Sequence, residues 1–281
     1  MTDLSRITPE NPLLLIGCGK MGGAMLQGWL KKGLSSGAVL VVDPATSQVQ
    51  AAFPDLGPQQ ILATPDRLPS ALQPAFVILA VKPQMMDQAV DGVKALNLSQ
   101  AVVLSIAAGK TLTYFENRLG RDKAIVRAMP NTPAAIGRGI TVGCANPHVT
   151  PDQKDTCHIL LSAVGQVDWV EDEALMDAVT AVSGSGPAYV FHLVEALAAA
   201  GKNVGLSPEL AGKLAAATVS GAGALLDQAG EDATQLRINV TSPKGTTEAA
   251  LNVLMDDKEG LGVLLEKAVR AAYERSKELA D

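Results

Sequence analysis

Gly17-Cys18-Gly19-Lys20-Met21-Gly22 is the first stretch of this chain whose residue types and spacing could do chemistry. Glycines at its first, third and sixth positions form the pattern that brings a backbone up to a pyrophosphate. Gly17 permits a tight turn, Gly19 lets the chain approach the ligand, and Gly22 allows close helix–strand packing. A helix starting there offers unpaired N–H groups and the positive end of its dipole. The same spacing also occurs in Gly-rich turns that hold nothing, and context decides between the two. Asp43 follows Gly22 by 21 residues, at the end of the next apolar run. A carboxylate there accepts hydrogen bonds from both ribose hydroxyls and repels a 2′-phosphate. Asp43-Pro44-Ala45-Thr46-Ser47 contains no Lys or Arg to receive that phosphate, so residue physics alone favours NADH over NADPH. The alternative is a turn aspartate before Pro44.

Two later motifs point to a second binding element. Ser183-Gly184-Ser185-Gly186-Pro187 stands directly before a helix, and Val240-Thr241-Ser242-Pro243-Lys244-Gly245-Thr246-Thr247 stands before another, Glu248–Met255. Each reads as a loop feeding a helix N-terminus, which cradles a carboxylate well. Each also reads as an ordinary capped helix start. Hydroxyls of Ser242, Thr246 and Thr247 add donors. No His–Asp or Lys–Asp pair stands near either loop. A reaction whose substrate brings its own proton suits such a site.

The elements that must position these residues alternate through the first half. Leu13–Gly17, Val39–Asp43, Phe76–Val81, Ala101–Ile106, Ala124–Met129 and Ile140–Ala145 read as short apolar strands, and Gln166–Val170 as a last one. Most are continuous rather than alternating runs, as expected of strands buried on both faces. Helical patterns at Met21–Lys32, Met85–Ala95, Thr111–Leu119 and Pro151–Val164 fall between most of them. This β-α-β alternation predicts a parallel sheet with helices on both faces, an α/β fold. The Gly-rich loop sits at its first strand-to-helix turn, the context that the motif needs. From about Glu173 onward the chain is rich in Ala, Leu and Gly, with helix starts at Pro187, Ser207-Pro208 and Asp232. Leu261, Leu264, Leu265, Ala268, Val269 and Ala272 line one face of a final helix. About 108 residues of small-residue helices make a thin core alone. Burial against a second copy of the chain is the expected solution, a monomeric bundle the alternative. The expected division is residues 1–172, a dinucleotide-binding Rossmann domain with residues 1–11 flexible, and 173–281, an all-helical dimerisation and substrate domain.

Composition narrows the class. The 281 residues are 47% hydrophobic and 19% charged, enough to bury a core without metals or crosslinks. The net charge of −6 and the absence of a basic run argue against nucleic acid. No apolar stretch approaches the roughly 18 residues of a membrane span, and the polar start resembles neither signal nor transit peptide. Three cysteines (Cys18, Cys144, Cys157) without CxxC spacing, and three scattered histidines, predict a reducing, cytoplasmic setting and no metal site.

Taken together the residues resemble the pyrroline-5-carboxylate reductase family, from about Leu13 to Lys277. The most specific piece is Val182–Leu197, reading VSGSGPAYVFHLVEAL, followed by Ser242-Pro243-Lys244-Gly245-Thr246-Thr247. Ala80-Val81-Lys82-Pro83, Ser105-Ile106-Ala107-Ala108-Gly109 and Arg127-Ala128-Met129-Pro130-Asn131-Thr132-Pro133 also fit, in order. The resemblance implies a Rossmann domain, a helical dimerisation domain, and homodimers that often assemble into decamers. It implies reduction of (S)-1-pyrroline-5-carboxylate to L-proline by NADPH or NADH. Gly17, Gly19, Lys20 and Met21 would hold the pyrophosphate, while Ala80, Lys82, Pro83, Ala107 and Asn131 would line the nicotinamide side. The substrate carboxylate would rest on Ser242 and the amides of Gly245, Thr246 and Thr247, with Ser183 and Gly184 as the other wall. Thr247 matches the hydroxyl that the family sets beside the ring nitrogen.

Three departures stand out. Lys20 replaces the usual Asn, Lys244 replaces the first Gly of Ser-Pro-Gly-Gly, and Asp43 is acidic where NADPH-preferring members have small or basic neighbours. Competing readings are a β-hydroxyacid dehydrogenase, another cyclic-imine reductase, and a non-catalytic dinucleotide-binding regulator. The first needs a catalytic Lys, and Lys202 and Lys213 lie in no matching motif. Intact Thr247 counts against the last.

Overall fold

The computed structural model describes residues 4–280. Its sheet is formed by β1 (Leu13–Ile16), β2 (Val39–Val42), β3 (Ile61–Leu62), β4 (Phe76–Leu79), β5 (Val102–Ser105), β6 (Ala124–Met129), β7 (Gly139–Ala145) and β8 (Gly165–Trp169). The spatial order is β3-β2-β1-β4-β5-β6-β7-β8. The first six strands are parallel in the order 3-2-1-4-5-6 of doubly wound dinucleotide-binding sheets. Around them run α1 (Lys20–Lys31), α2 (Thr46–Ala52), α3 (Met86–Val93), α4 (Leu112–Leu119), α5 (Pro151–Leu161) and α6 (Met176–Val179).

Alternate strand residues point to opposite faces, so a strand covered on both sides must be apolar throughout. Leu13 and Leu15 join one buried cluster with Met25 and Trp29 of α1 and Leu160 of α5. Leu14 and Ile16 join another with Val90 of α3 and Phe115 of α4. The Trp29 indole N–H donates to the Leu160 carbonyl at 2.7 Å, which fixes α1 against α5.

The sheet departs from the all-parallel expectation at β7, which runs antiparallel to β6. A parallel return needs a crossover of a dozen or more residues. Only a short 3₁₀ turn, Thr132–Ile136, lies between these strands, so the chain can only double back. Asn131 ties this turn, its Oδ1 accepting the Ile140 N–H at 3.0 Å. The short elements β3 and α2 were not expected at all. The expected flexible lead is packed where it is described. Ile7 is buried, Arg6 pairs with Asp152 at 3.3 Å, and Asn11 donates to the Gln73 carbonyl at 3.0 Å. Residues 1–3 of that stretch lie outside the described residues.

Two compact units divide the chain between Gly184 and Ser185, beyond the expected boundary at 172/173, and the first regains the chain from Tyr273 onward. Met176 of α6 belongs to a sheet-face cluster, and Ser276 donates to Asp177 at 2.7 Å. These contacts draw both segments into the first unit. The second unit holds α7 (Gly186–Asn203), α8 (Pro208–Gln228), α9 (Ala233–Asn239), α10 (Thr246–Leu254) and the start of α11 (Leu261–Ala280). Only Ala211 and Ala215 are buried apolar residues among the described residues of this unit, while Phe191, Leu225 and Leu264 stand more than half exposed. Such helices lack a core of their own.

Candidate active site

The strand order reverses between β1 and β4, and ligands of open α/β sheets bind at the carboxyl ends of such a switch point. There the chain leaves β1 through Gly17 at φ +92°, where a Cβ would also lie 2.8 Å from the Ala80 carbonyl oxygen. Gly22 lets α1 pack on this turn, because a Cβ there would fall 2.2 Å from the Gly17 oxygen. Gly19 differs: nothing lies within 4 Å of where its Cβ would stand, so the loop is open on that side. Gly23 donates to the Gly19 carbonyl at 2.8 Å as α1 begins. The amides of Lys20, Met21 and Gly22 therefore precede the helical ladder and point outward from its positive end.

Asp43 follows β2. Its own N–H donates to the Leu62 carbonyl at 2.9 Å. Its Oδ2 accepts the Cys18 N–H at 2.7 Å and its Oδ1 the Ala45 N–H at 2.8 Å. The carboxylate thus braces the Gly-rich loop as well as its own turn, so the turn-residue and ligand-residue readings are compatible. Each oxygen keeps a lone pair for another donor. Burial, and then the Asp43 charge, push the neighbouring Cys18 thiol up to about 11.

A cavity of about 460 Å³ opens here, lined by Gly17, Gly19, Asp43, Ala80 and Lys82 among others. Lys20, Met21, Pro83, Ala107 and Asn131 do not line it. Lys20 and Met21 open α1 beside it, Ala107 is buried, and the Asn131 side chain serves its own turn. The walls also include Ala63, Thr64 and Pro65, which the sequence reading missed. They follow β3, whose two residues are too few to show a strand pattern.

In the second unit, Gly245 caps α10. Ser242-Pro243-Lys244-Gly245 makes a turn closed by the Gly245 N–H on the Ser242 carbonyl at 3.0 Å. Lys244 occupies its third position at φ +58°, the one non-glycine residue at positive φ among the described residues. With Pro at the second position this is the pattern of a type II turn, which favours Gly at the third. The Lys244 N–H donates to Glu248 Oε2 at 2.7 Å. The Gly245 amide is therefore spent on the turn, contrary to its expected role under a carboxylate. Thr246 and Thr247 keep theirs, since Ala249 is the first residue to bond back, to the Gly245 oxygen at 3.2 Å. The half-buried Thr247 hydroxyl has no hydrogen-bond partner among the described residues.

The Ser-Gly-Ser-Gly motif is not the expected loop. Thr180–Gly184 form a π-helical turn between α6 and α7. Pro187 has no N–H and its ring would crowd the carbonyl of Ser183, so a wider turn is the accommodating geometry. The Ser183 hydroxyl donates to the Val179 carbonyl at 3.1 Å. Gly184 passes close to Met129, whose Cε would be 2.5 Å from a Cβ. Arg127, quoted above only as part of a motif, is a buried structural cation: its Nη1 meets Glu173 Oε1 at 2.9 Å. The same oxygen accepts the Leu112 N–H at 2.8 Å.

Sheet order and Gly-rich turn, followed by a helical second unit, define a dinucleotide-binding protein of the Rossmann type. The family described as pyrroline-5-carboxylate reductase dimerisation matches residues 173–279. Residues 13–109 match one described as NADP oxidoreductase coenzyme F420-dependent. The pyrroline-5-carboxylate reductase of Pseudomonas aeruginosa is 36% identical over 269 residues, spanning 96% of this chain and 97% of that protein. That of Synechocystis is 45% identical over 78% of this chain and 80% of its own. Among solved structures, the Coxiella burnetii reductase superposes with a TM-score of 0.87 at 35% identity, over 97% of this chain and 99% of that one. The Plasmodium falciparum enzyme, solved with NADP bound, gives 0.77 at 27% over 98% of this chain and 100% of its own. The chain belongs to the pyrroline-5-carboxylate reductase family.

Proposed function

We propose that the chain reduces 1-pyrroline-5-carboxylate to L-proline with NADH or NADPH, the last step of proline biosynthesis. The observation that carries this reading is that one chain pairs a dinucleotide turn open at Gly19 with a helix start at Thr246-Thr247 whose amides are unspent. The cavity beside Gly19 and the ladder-free amides of α1 fit a dinucleotide. Lys20, Met21, Gly17 and Gly19 would hold its pyrophosphate, with the Lys20 ammonium adding a countercharge. Asp43 would take the adenosine ribose, and Ala80, Lys82, Pro83, Ala107 and Asn131 the nicotinamide side. When bound, the dinucleotide supplies the hydride that reduces the C=N bond.

The chain's own task is positioning, which for well-oriented reactants lowers a barrier by about 7–11 kcal/mol. Ser242 and the Thr246 and Thr247 amides hold the substrate carboxylate at the positive end of α10. By the resemblance, Ser183 and Gly184 would form the other wall. Thr247 would face the ring nitrogen, its hydroxyl oxygen accepting the N–H of the protonated imine. At ordinary hydroxyl acidity it is a poor sole acid, so the imine arrives with its own proton. Replacing Thr247 by Ala should keep the fold and lower kcat more than it raises KM. An unchanged kcat removes Thr247 from the chemistry.

The helical unit belongs to a homo-oligomer; the finer assembly proposed is a dimer, with five dimers forming a decamer. No helix among the described residues is long and apolar enough to cross a membrane. The three unpaired cysteines support a cytoplasmic setting.

A further inference from the structure

We infer that Asp43 makes this chain an NADH enzyme, discriminating against the 2′-phosphate of NADPH. The inference rests on the dinucleotide site proposed above. Asp43 is the only acidic residue lining that cavity and Lys82 the only cation. A carboxylate on a free rotamer could swing aside for a phosphate, but this one is held at two points and its backbone at a third. Its N–H is held by the Leu62 carbonyl, and its two oxygens by the Cys18 and Ala45 amides at 2.7 and 2.8 Å. Moving it would strip acceptors from two backbone donors, one of them in the Gly-rich turn itself. The lone pairs left over can accept ribose hydroxyls but offer nothing to a phosphate oxygen, which is also an acceptor.

No cation lines the wall of the cavity beside Asp43; Arg67, which ends the 3₁₀ turn beginning at Pro65, is not among the lining residues. Asp43 makes no ion pair among the described residues. The wall beside it is Val42, Pro44, Ala63, Thr64 and Pro65, without a cation. Lys82 follows β4, with β1 lying between β4 and β2. At about 4.8 Å per strand that places its backbone roughly 10 Å across the sheet from Asp43. The P. falciparum structure was solved with NADP bound, so the inference sets this chain apart from that relative.

The test is the dissociation constant of each reduced cofactor, read by fluorescence titration without substrate, for the wild type and for Asp43→Asn and Asp43→Ser. NADH should bind the wild-type protein at least tenfold more tightly than NADPH. Both variants should bring the ratio below about threefold, mainly by strengthening NADPH. Equal or tighter NADPH binding by the wild type would overturn the inference. So would a preference that survives both substitutions. Binding is measured apart from turnover, so selective NADH binding without imine reduction would count against the proposed reaction alone.

Discussion

Gly19 and Gly22 lie three residues apart in one motif and are glycines for different reasons. At Gly22 a methyl would strike the Gly17 carbonyl oxygen, whereas at Gly19 it would meet no protein atom within 4 Å. Gly22→Ala should therefore destabilise the fold by about 2–3 kcal/mol in urea unfolding, as overpacking does. Gly19→Ala should leave stability within about 0.5 kcal/mol yet raise KM for the dinucleotide at least tenfold, because only the ligand needs that space. A second residue-scale prediction concerns Lys244. A side chain in the left-handed region costs about 1–2 kcal/mol, and glycine returns part of that in unfolded-chain entropy. Lys244→Gly should gain on the order of 0.5 kcal/mol, read as a higher urea midpoint. The Gly spacing and the Lys244 departure were legible in the sequence because both are matters of residue type. The bracing of Asp43 and the loss of the Gly245 amide to its turn were not, since each depends on where a single hydrogen bond closes.

At the scale of elements, the buried Arg127–Glu173 pair joins the middle of β6 to the N-terminus of α4 and to the segment leading into α6. Breaking one side of such a pair strands a charge in the sheet, at a cost of about 3–5 kcal/mol. Glu173→Ala should lose stability at the lower end of that range, because Glu173 is a quarter exposed, and denaturant unfolding would read the loss. Five of the six parallel strands, all but β3, announce themselves as continuous apolar runs, and the parallel α/β class follows from their alternation with helices. The reversal at β7 is a matter of connection length, visible only once the boundaries of β6 and β7 are fixed. Strand β3 was beyond reach, since two residues carry no periodicity. The π turn at Ser183 hid behind composition: Ser and Gly before Pro look like a loop, whereas the chain takes a wider helical turn there ahead of Pro187.

At the scale of the whole molecule, the second unit cannot be stable as drawn from one chain. Fully burying a side chain such as Phe191 or Leu264 is worth about 1.5–3 kcal/mol, and these stay exposed without a partner. Sedimentation should give twice the 29.1 kDa chain mass or a multiple of it. Phe191→Glu should shift the protein toward monomer, and an unchanged mass would place the contact elsewhere on the helices. A second copy was the expectation from sequence, because about 108 residues of small-residue helices make a thin core alone; the exposed leucines became visible only in the structure. Hydride transfer to the imine is what every residue role above serves. Its most direct test follows deuterium from C4 of reduced nicotinamide while 1-pyrroline-5-carboxylate is consumed. The prediction is proline carrying one deuteron at C5 for each cofactor oxidised. Cofactor oxidation without label in proline, or no oxidation despite measurable binding, would contradict the account.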